Sequence, residues 1–309
     1  MPPSLTIGTR GSKLALWQAQ WVRSLLRQAH PQLTVDLQII KTRGDKILDV
    51  PLAKVGGKGL FVKEIEQALL SGQIDLAVHS MKDMPAEIPE GLQITAVPRR
   101  ESPHDVLISG TGLRLDELPE GAGVGTSSLR RSAQLLARRP DLRIVPLRGN
   151  LDTRLRKLDE GRMDAIVLAA AGVRRLGLAE RITEVLDETV MLPAVGQGAL
   201  CIETRAADPS VSLVAPLDDA ATHVVVDGER AFLNRLQGGC QVPVAAHGKL
   251  DGERFTLSGL VATLDGGGVI KDQLAGPARD SRRIGLQLAE RLLARGADAI
   301  LESLMNNDH

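Results

Sequence analysis

Aromatic residues are scarce in this chain of 309 residues. Phe, Trp and Tyr together make up 2% of it, and the formal net charge at pH 7 is +0. A protein that binds nucleic acid needs an excess of basic residues for the phosphates, and commonly aromatic platforms for the bases. The sequence offers neither, so we expect no nucleic-acid partner.

Long hydrophobic runs are absent as well. No window approaches roughly eighteen consecutive apolar residues, and the start MPPSLTIGTR has no basic stretch followed by an apolar core. We therefore expect no membrane span, no secretory signal and a cytoplasmic location. No coiled-coil repeat demands a partner, so a monomer is the simplest expectation.

Cysteine occurs only twice, at Cys201 and Cys240. Their spacing is neither that of a metal pair nor that of a CxxC redox motif, and we expect no metal site. Cys201 lies in the apolar run GALCIE and should be buried. A helix-like run over 228–237 is expected to end at Gly238, which places Cys240 on a loop. Three interpretations of Cys240 stay open: an inert thiol, a catalytic nucleophile or an attachment point for a covalent group.

Strand-like and helix-like segments alternate from the start of the chain. LTIGT is followed by a helical run over 12–29, then by TVDLQII, a helix near 60–70 and IDLAVHS. This alternation predicts a mostly parallel sheet with helices on both faces.

The same pattern then occurs a second time. IGTRGS resembles VGTSSL, HPQLTV resembles RPDLRI, TRGD resembles LRGN, and LLSGQIDLAVHS resembles LDEGRMDAIVLA. These landmarks, in the same order, predict two similar α/β lobes of the binding-protein type with a cleft between them. We expect the first lobe to comprise 1–98 and 194–216, and the second 99–193. The rest, 217–309, has two strand candidates and a closing helical run over 282–304, which indicates a smaller α+β domain.

Both lobes begin with a strand that runs into a polar turn and a helix start, TRGS and TSSLRR. Backbone N–H groups at helix N-termini attract anions, although ordinary capping beside a solvated basic face explains each turn equally well. Residues 128–156 contain eight arginines against two aspartates. Guanidinium groups form bidentate bonds with carboxylate or phosphate, so we expect a polyanionic ligand.

The segment MKDMP follows the strand IDLAVHS and carries Lys82 and Asp83. An ionised aspartate at a strand end can accept an N–H bond and stabilise a cation, or it can simply cap a turn. His79 is expected to be structural, since no second ligand accompanies it at metal spacing. The glycine-rich loop AKVGGKGLF lacks the Walker A order and predicts either a lid or a flexible connection.

Together these motifs resemble the porphobilinogen deaminase family, also called hydroxymethylbilane synthase, of tetrapyrrole (haem) biosynthesis. The resemblance covers nearly the whole chain up to about Pro243. Its motifs are TRGSKLALWQAQ, TRGD, PLAKVGGKGLFVKEIEQALL, DLAVHSMKDMP, GTSSLRR, RRPDL, LRGNLDTRL, DAIVLAAAG, LPAVGQGAL and GGCQVP.

The resemblance implies a transferase with a dipyrromethane cofactor attached to Cys240 through a thioether. Four porphobilinogen molecules would be added to it in turn, each losing ammonia, and hydrolysis would release hydroxymethylbilane. The family pattern implies that Asp83 is the catalytic residue and that residues 55–59 form a lid. Its other implied ligands are, for the cofactor, Ser12, Lys82, Asp83, Thr126, Ser127, Ser128, Arg130, Arg131, Arg148 and Gly149, and for the substrate, Arg10, Ser12, Gln18, Lys58, Phe61, Arg148, Arg154, Arg175 and Gln197.

A function of another class also fits the pattern, that of a two-lobed intracellular binding or effector-sensing protein for a small polycarboxylate. It explains the repeated lobes, the helix-terminus anion sites and the arginines. It leaves Asp83 and Cys240 without a role.

Overall fold

The structure is a computed structural model, and it describes residues 4–42, 44, 62–85, 87–236 and 242–306. Within these residues the strands are β1 (Ser4–Thr9), β2 (Thr34–Ile39), β3 (Leu76–Ser80), β4 (Leu92–Ala96), β5 (Asp105–Ser109), β6 (Gly123–Gly125), β7 (Arg143–Val145), β8 (Ala165–Ala169), β9 (Glu184–Leu186), β10 (Leu200–Arg205), β11 (Val244–Asp251), β12 (Arg254–Ala262) and β13 (Val269–Pro277). The α-helices are α1 (Lys13–Ala29), α2 (Lys63–Leu70), α3 (Leu129–Arg138), α4 (Leu151–Asp159), α5 (Ala170–Arg175), α6 (Ser210–Val214), α7 (Ala220–Arg235), α8 (Ser281–Leu292) and α9 (Asp298–Asn306).

Two five-stranded sheets share one topology. The first has the order β2-β1-β3-β10-β4 and the second the order β7-β6-β8-β5-β9. In each, the fourth strand of the order runs antiparallel to both neighbours, and the first three strands run parallel. The predicted mostly parallel sheet is therefore present twice, with one reversed strand in each. The reversed strands, β5 and β10, are the ones that the chain enters after crossing from the other sheet.

The first sheet is covered by α1, whose start and inner face follow from the sequence. Ser12 caps the helix by accepting a hydrogen bond from the backbone N–H of Ala15 at 3.3 Å. Val22 and Leu26 then bury themselves against Ile7 of β1. This packing fixes the N-terminus of α1 beside the carboxyl ends of β1 and β3.

The C-terminal residues form an antiparallel sheet, β11-β12-β13, covered by α7 and α8. Phe232 and Phe255 are fully buried between these layers. The strand candidates correspond to β11 and β12, but the sequence pattern did not indicate β13. Its residues are alternately exposed and half-buried at the sheet edge, so they carry few of the apolar residues that mark a strand.

Two helix predictions were wrong in their extent. The helix expected over 228–237 begins at Ala220, because Asp219 caps it by accepting a bond from Thr222 N–H at 2.8 Å. It ends at Arg235, and Gly238 lies outside the described residues. The closing helix is interrupted at Gly296, whose φ of 98° is not helical.

Candidate active site

A cavity of about 70 Å³ lies at the carboxyl ends of β1 and β3. Several of the expected site residues line it together with Ser80: Arg10, Ser12, Gln18 and Asp83. The opposite wall comes from Val62 and Ile65 at the start of α2. The topology thus brings polar residues of α1 and of the turn after β3 together at the edge where α/β proteins bind ligands, although Gln18 and Ser80, for example, are 62 positions apart in sequence.

The strand end that leads to Asp83 is held by a side-chain bond from α1. Gln18, which is buried, donates a hydrogen bond from Nε2 to Ser80 Oγ at 3.0 Å. After Ser80, a single 3₁₀ turn, Met81–Asp83, buries Met81 and leaves Asp83 exposed to the cavity. This turn therefore positions the carboxylate of Asp83 at the cavity wall.

Lys82 is an amine in a poorly solvated position. Burial lowers its pKa to about 8, with further lowering by Arg131 and Arg130, while Asp83 and Asp105 act in the opposite direction. Within the described residues no carboxylate lies within ion-pair distance of its ammonium group.

Arg130 and Arg131, at the start of α3, point into the second lobe rather than into water. Arg130 Nη1 and Arg131 Nη2 each lie 2.7 Å from the buried carboxylate of Asp105 at the start of β5. Burial by itself would raise the pKa of Asp105, but the two guanidinium groups outweigh it and hold that pKa well below its usual range. Sequence reasoning missed Asp105. The signal was an acidic residue directly before the apolar run VLI.

The arginine cluster is more strongly neutralised than the sequence count indicated. Among the described residues, at least five of its eight arginines form ion pairs with carboxylates, and three of the partner carboxylates (Asp105, Asp116 and Glu160) lie outside the counted window. The arginine excess that predicts a polyanionic ligand is therefore partly neutralised within the protein. Among the described residues, Lys82 and Arg154 are cations that form no ion pair with a carboxylate.

The turn before α3 is organised by its hydroxyl groups. Thr126 Oγ1 accepts a hydrogen bond from the backbone N–H of Ser128 at 3.2 Å. Ser127 Oγ donates to the carbonyl of Leu147 and accepts from its N–H, both at 3.0 Å. Ser128 occupies the N-cap position without a side-chain capping bond, so its hydroxyl is not used to close the helix.

The segment after β7 carries Arg148 and Gly149, and the helix that follows it, α4, carries Arg154. Gly149 has a φ of 110°, and a Cβ at this position would lie 2.6 Å from Thr153 Cγ2, so the backbone requires glycine. Arg154 Nε donates to the Gly149 carbonyl at 2.9 Å, and the Arg148 carbonyl accepts a bond from Lys157 at 3.2 Å.

Arg154, on the second lobe, interacts electrostatically with Asp83 on the first. Burial lowers its pKa to about 10, Arg131 and Arg148 lower it further, and the charge of Asp83 on the first lobe opposes them. Among the described residues no carboxylate forms an ion pair with Arg154. The guanidinium thus lies close enough to Asp83 to interact with it while retaining N–H groups for a ligand.

Arg175 binds the segment that returns to the first sheet, and Gln197 of that segment binds the segment that leads to β5. Arg175 Nη2 donates to the Gly198 carbonyl at 2.7 Å, and its guanidinium carbon lies 5.9 Å from the centre of the Trp17 ring. Gln197 is buried and donates to the Pro103 carbonyl at 2.6 Å. Both side chains hold the crossing segments in place.

Three expected residues, Lys58, Phe61 and Cys240, lie outside the described residues, as does the expected lid.

A second cavity, of about 320 Å³, lies between the first sheet and α7, lined by Met81, Val97 and Arg230 among others. None of the expected site residues lines it. Within the part of the chain that the structure describes, no group of three or more His, Cys, Asp or Glu side chains is arranged so that it could hold a metal ion, and no helix is long and apolar enough to cross a bilayer.

Comparison with known proteins identifies the family. The family model "Porphobilinogen deaminase, dipyromethane cofactor binding domain" matches residues 5–212, and "Porphobilinogen deaminase, C-terminal domain" matches residues 224–294. The chain belongs to the porphobilinogen deaminase family. It is therefore a transferase, a hydroxymethylbilane synthase with a dipyrromethane cofactor, and the binding-protein alternative is not favoured.

Curated relatives within the family match over nearly their full length. The porphobilinogen deaminase of Syntrophotalea carbinolica is 61% identical over 302 residues, covering 97% of this chain and 96% of the relative. That of Pelobacter propionicus is 54% identical over 310 residues, with 100% coverage of both.

Solved structures with a similar fold include binding proteins. A methionine binding protein, MetQ, matches 70% of this chain and 90% of its own at 16% identity and a TM-score of 0.45. The periplasmic aliphatic sulphonate binding protein SsuA from Escherichia coli matches 77% of this chain and 71% of its own at 14% identity and a TM-score of 0.40. At these scores the structures add nothing to the family assignment.

The residues of the cleft fit a dipyrromethane chemically. Its pyrroles carry acetate and propionate side chains, and Lys82 and Arg154 are desolvated cations without a carboxylate partner among the described residues. Burying a cation costs free energy unless an anion accompanies it. A polycarboxylate bound here would supply the missing counter-charges.

Proposed function

We propose that Asp83 is the catalytic residue of this hydroxymethylbilane synthase and that the cations around it bind the carboxylates of cofactor and substrate. The observation that carries the proposal is that Lys82 and Arg154, two desolvated cations with no carboxylate ion pair among the described residues, both interact electrostatically with the exposed carboxylate of Asp83. A solvent-facing carboxylate near two such cations can accept N–H bonds from a ligand that those cations hold.

The reaction condenses four porphobilinogen molecules with loss of ammonia and ends with hydrolytic release of hydroxymethylbilane. When bound, the dipyrromethane supplies the free pyrrole carbon from which the chain is extended. Asp83 accepts a hydrogen bond from the pyrrole N–H of the incoming porphobilinogen. Its negative charge stabilises the positive charge that develops on that pyrrole as the carbon–nitrogen bond breaks and ammonia leaves.

The remaining expected residues serve binding. Arg10, Ser12 and Gln18 line the cavity around Asp83 and orient the substrate, and Arg148 and Arg154 approach from the second lobe. Thr126, Ser127, Ser128 and Gly149 shape the turns that present backbone N–H groups to carboxylates. Arg130 and Arg131 bind the cofactor through the N–H groups that Asp105 and the carbonyls of Leu192 and Val167 leave over, since each guanidinium has five.

Arg175 at the end of α5 and Gln197 of the crossing segment complete the substrate site, together with Lys58 of the lid and Phe61 just after it. Cys240 carries the cofactor through a thioether. The partner is the small molecule porphobilinogen, without nucleic acid or membrane, and the enzyme is a cytoplasmic monomer.

An intact mass spectrum tests the attachment site. The chain is incubated with porphobilinogen, dialysed and compared with a Cys240→Ser variant treated identically. We expect a mass excess of two linked pyrrole units that is absent from the variant. Retention of the excess by Cys240→Ser would show that the cofactor is attached elsewhere.

Turnover of Asp83→Asn tests the catalytic role. This isosteric change removes the charge, and we expect the cofactor mass to be kept while product formation falls by about a hundredfold or more. Asp36→Asn, an exposed aspartate on β2 of the same lobe, is the matched control and should retain full activity. Unchanged product formation by Asp83→Asn would overturn the assignment.

A further inference from the structure

Three titratable side chains form a buried cluster: Glu66 on α2, His79 on β3 and Glu203 on β10. The cluster lies beside the cavity at the carboxyl ends of β1 and β3, which we call the cleft cavity. Their residues are 7%, 5% and 0% exposed. His79 Nε2 lies 3.1 Å from Glu203 Oε2. Glu66 interacts with both of the others through its charge. We define these three residues as the carboxylate–histidine cluster.

The carboxylates of this cluster are incompletely satisfied. Glu66 Oε1 and Glu203 Oε1 are buried, and neither has a hydrogen-bond partner among the described residues. Burial raises the pKa of Glu66, the charge of Glu203 raises it further, and His79 lowers it by a smaller amount. Two neighbouring buried carboxylates resist ionising together, so Glu66, whose pKa is raised, is biased towards its uncharged form.

Two other titratable groups face Glu203. Burial raises the pKa of the Cys201 thiol and the charge of Glu203 raises it further, so the thiol is uncharged. Arg230 of α7 is a cation whose pKa burial lowers, and Glu203 opposes that effect. Neither group replaces His79 as the hydrogen-bonded partner of Glu203.

The imidazole is the member of the cluster that reaches the cavity. His79 lines the cavity with Asp83, Gln18 and Arg10, and it lies on the strand that ends in the Asp83 turn. In the tautomer whose Nε2–H donates to Glu203, Nδ1 carries a lone pair. A buried carboxylate that orients an imidazole in this way also stabilises the imidazolium that forms when Nδ1 takes up a proton.

The reaction has a proton to place in this cavity. As the carbon–nitrogen bond of porphobilinogen breaks, its electron pair leaves with ammonia. A new carbon–carbon bond then forms to the free α-carbon of a pyrrole, and the C–H bond at that carbon breaks and releases one proton. In its proposed role, Asp83 stabilises the cation that exists between these two events. A second group is therefore better placed to accept the proton that the α-carbon releases.

We propose that His79 accepts this proton on Nδ1, with Glu203 stabilising the imidazolium and Glu66 held uncharged beside it. The proton then passes to the departing ammonia or to water, which restores the neutral imidazole. This inference rests on the proposed site around Asp83. It assigns the α-proton to a residue other than Asp83.

An isotope effect tests the assignment in the cofactor-loaded enzyme. We expect His79→Gln to lower kcat by about a hundredfold or more with little change in KM. With porphobilinogen deuterated at its free α-carbon, the variant should show a larger primary isotope effect than the unmodified chain, since C–H cleavage becomes slower. His223→Gln is the matched control, because that imidazole also pairs with a carboxylate, Asp218 at 2.8 Å, away from the cleft cavity. An isotope effect in His79→Gln equal to that of the control overturns the proposal.

Spectroscopy provides a readout that does not depend on activity. In the loaded enzyme, infrared spectra should contain a protonated-carboxyl band that is lost in Glu66→Gln. Proton NMR should show that Glu203→Gln, which keeps the side-chain shape, moves the Nε2–H resonance of His79 upfield, because a neutral amide is a weaker acceptor than a carboxylate. A band unaffected by Glu66→Gln, or a His79 Nε2–H resonance unmoved in Glu203→Gln, contradicts the cluster even if His79→Gln does not fold. Failure of the proposed function has a different signature, namely full turnover by Asp83→Asn.

Discussion

Arg130 donates two hydrogen bonds to Asp105, from Nη1 to Oδ2 at 2.7 Å and from Nη2 to Oδ1 at 3.2 Å. Arg131 adds a third bond to the same carboxylate, from Nε to Oδ1 at 2.8 Å. One buried carboxylate thus faces two buried cations, which leaves a net positive charge at the cleft end of the second lobe. This surplus charge suits a polycarboxylate ligand.

Asp105→Asn should strongly destabilise the protein. The change leaves two buried guanidinium groups without a counter-ion, and breaking a buried pair in this way costs about 3 to 5 kcal/mol. Urea unfolding would measure the change in the free energy of unfolding. The control is Asp116→Asn, which removes the exposed partner of Arg138 and should cost about 0 to 1 kcal/mol. Equal losses in the two variants would contradict the structural role of Asp105.

The pH dependence of that effect has a defined sign. Because the folded pKa of Asp105 is depressed, its stabilising contribution is present above the unfolded pKa of about 3.9 and is lost as the pH falls below it. The stability difference between the unmodified chain and Asp105→Asn should therefore be constant at neutral pH and shrink in acid. Unfolding curves across this range would detect the trend, and a difference that grew in acid would contradict it.

Lys82→Met should have opposite effects with and without the cofactor. In a Cys240→Ser background, which we expect to lack the cofactor, the change removes a desolvated cation and should stabilise the fold by about 1 to 3 kcal/mol. In the cofactor-loaded protein the same change removes a cation that binds a cofactor carboxylate, and it should destabilise the fold. Unfolding measurements on both backgrounds decide this, and the same sign in both would contradict a role in cofactor binding.

The stabilisation in the cofactor-free background should depend on pH. The folded pKa of Lys82 is lowered to about 8, so the cost of the buried charge is fully present below pH 8. As the pH rises from there towards the unfolded pKa of about 10.4, the folded lysine loses its proton and the cost disappears. The gain from Lys82→Met should fade over the same interval, whereas a pH-independent gain would indicate a packing effect.

Gly198→Ala should disrupt the crossing segment. Gly198 has a φ of 87°, and a Cβ there would lie 2.3 Å from the carbonyl oxygen of Glu101, a backbone atom that cannot rotate away. We expect a loss of more than about 2 kcal/mol in thermal or urea unfolding. Gly177→Ala is the control, since its φ is 71° but nothing lies near the new Cβ, and it should cost about 1 kcal/mol. Similar losses would show that only the backbone angle matters.

Thiol titration should distinguish the two cysteines. Cys201 is buried and its pKa is raised by burial, so it should not react with a thiol reagent in the folded protein. After incubation with porphobilinogen and denaturation, one thiol of the two cysteines should react, because the other is a thioether. Two reactive thiols in the denatured, loaded chain would contradict attachment at Cys240.

Much of the fold could be predicted because local signals agreed with it. The helix α1 begins where Ser12 predicted a cap, and β1, β2 and β3 lie where apolar runs predicted strands. The errors arose where local signals are weak. The start of α7 depends on Asp219, and β13 is a polar edge strand.

The position of the site residues was only partly accessible from sequence. Motifs and strand ends indicated Asp83 and the polar turns, and the structure brings Arg10, Ser12, Gln18 and Asp83 to one cavity. No pattern indicated that Arg130 and Arg131 share Asp105, because that ion pair joins β5 to α3 across the second lobe.

The sequence by itself determined the two α/β lobes, the family and the types of residue that a polycarboxylate site requires, because periodicity, caps and motifs are local properties of the chain. Only the tertiary structure decided which charges stay unpaired. Ion pairing and desolvation depend on distances between residues far apart in sequence, as in Asp105 with Arg130 and His79 with Glu203. Those distances separate the arginines that hold the protein together from the cations left for its ligand.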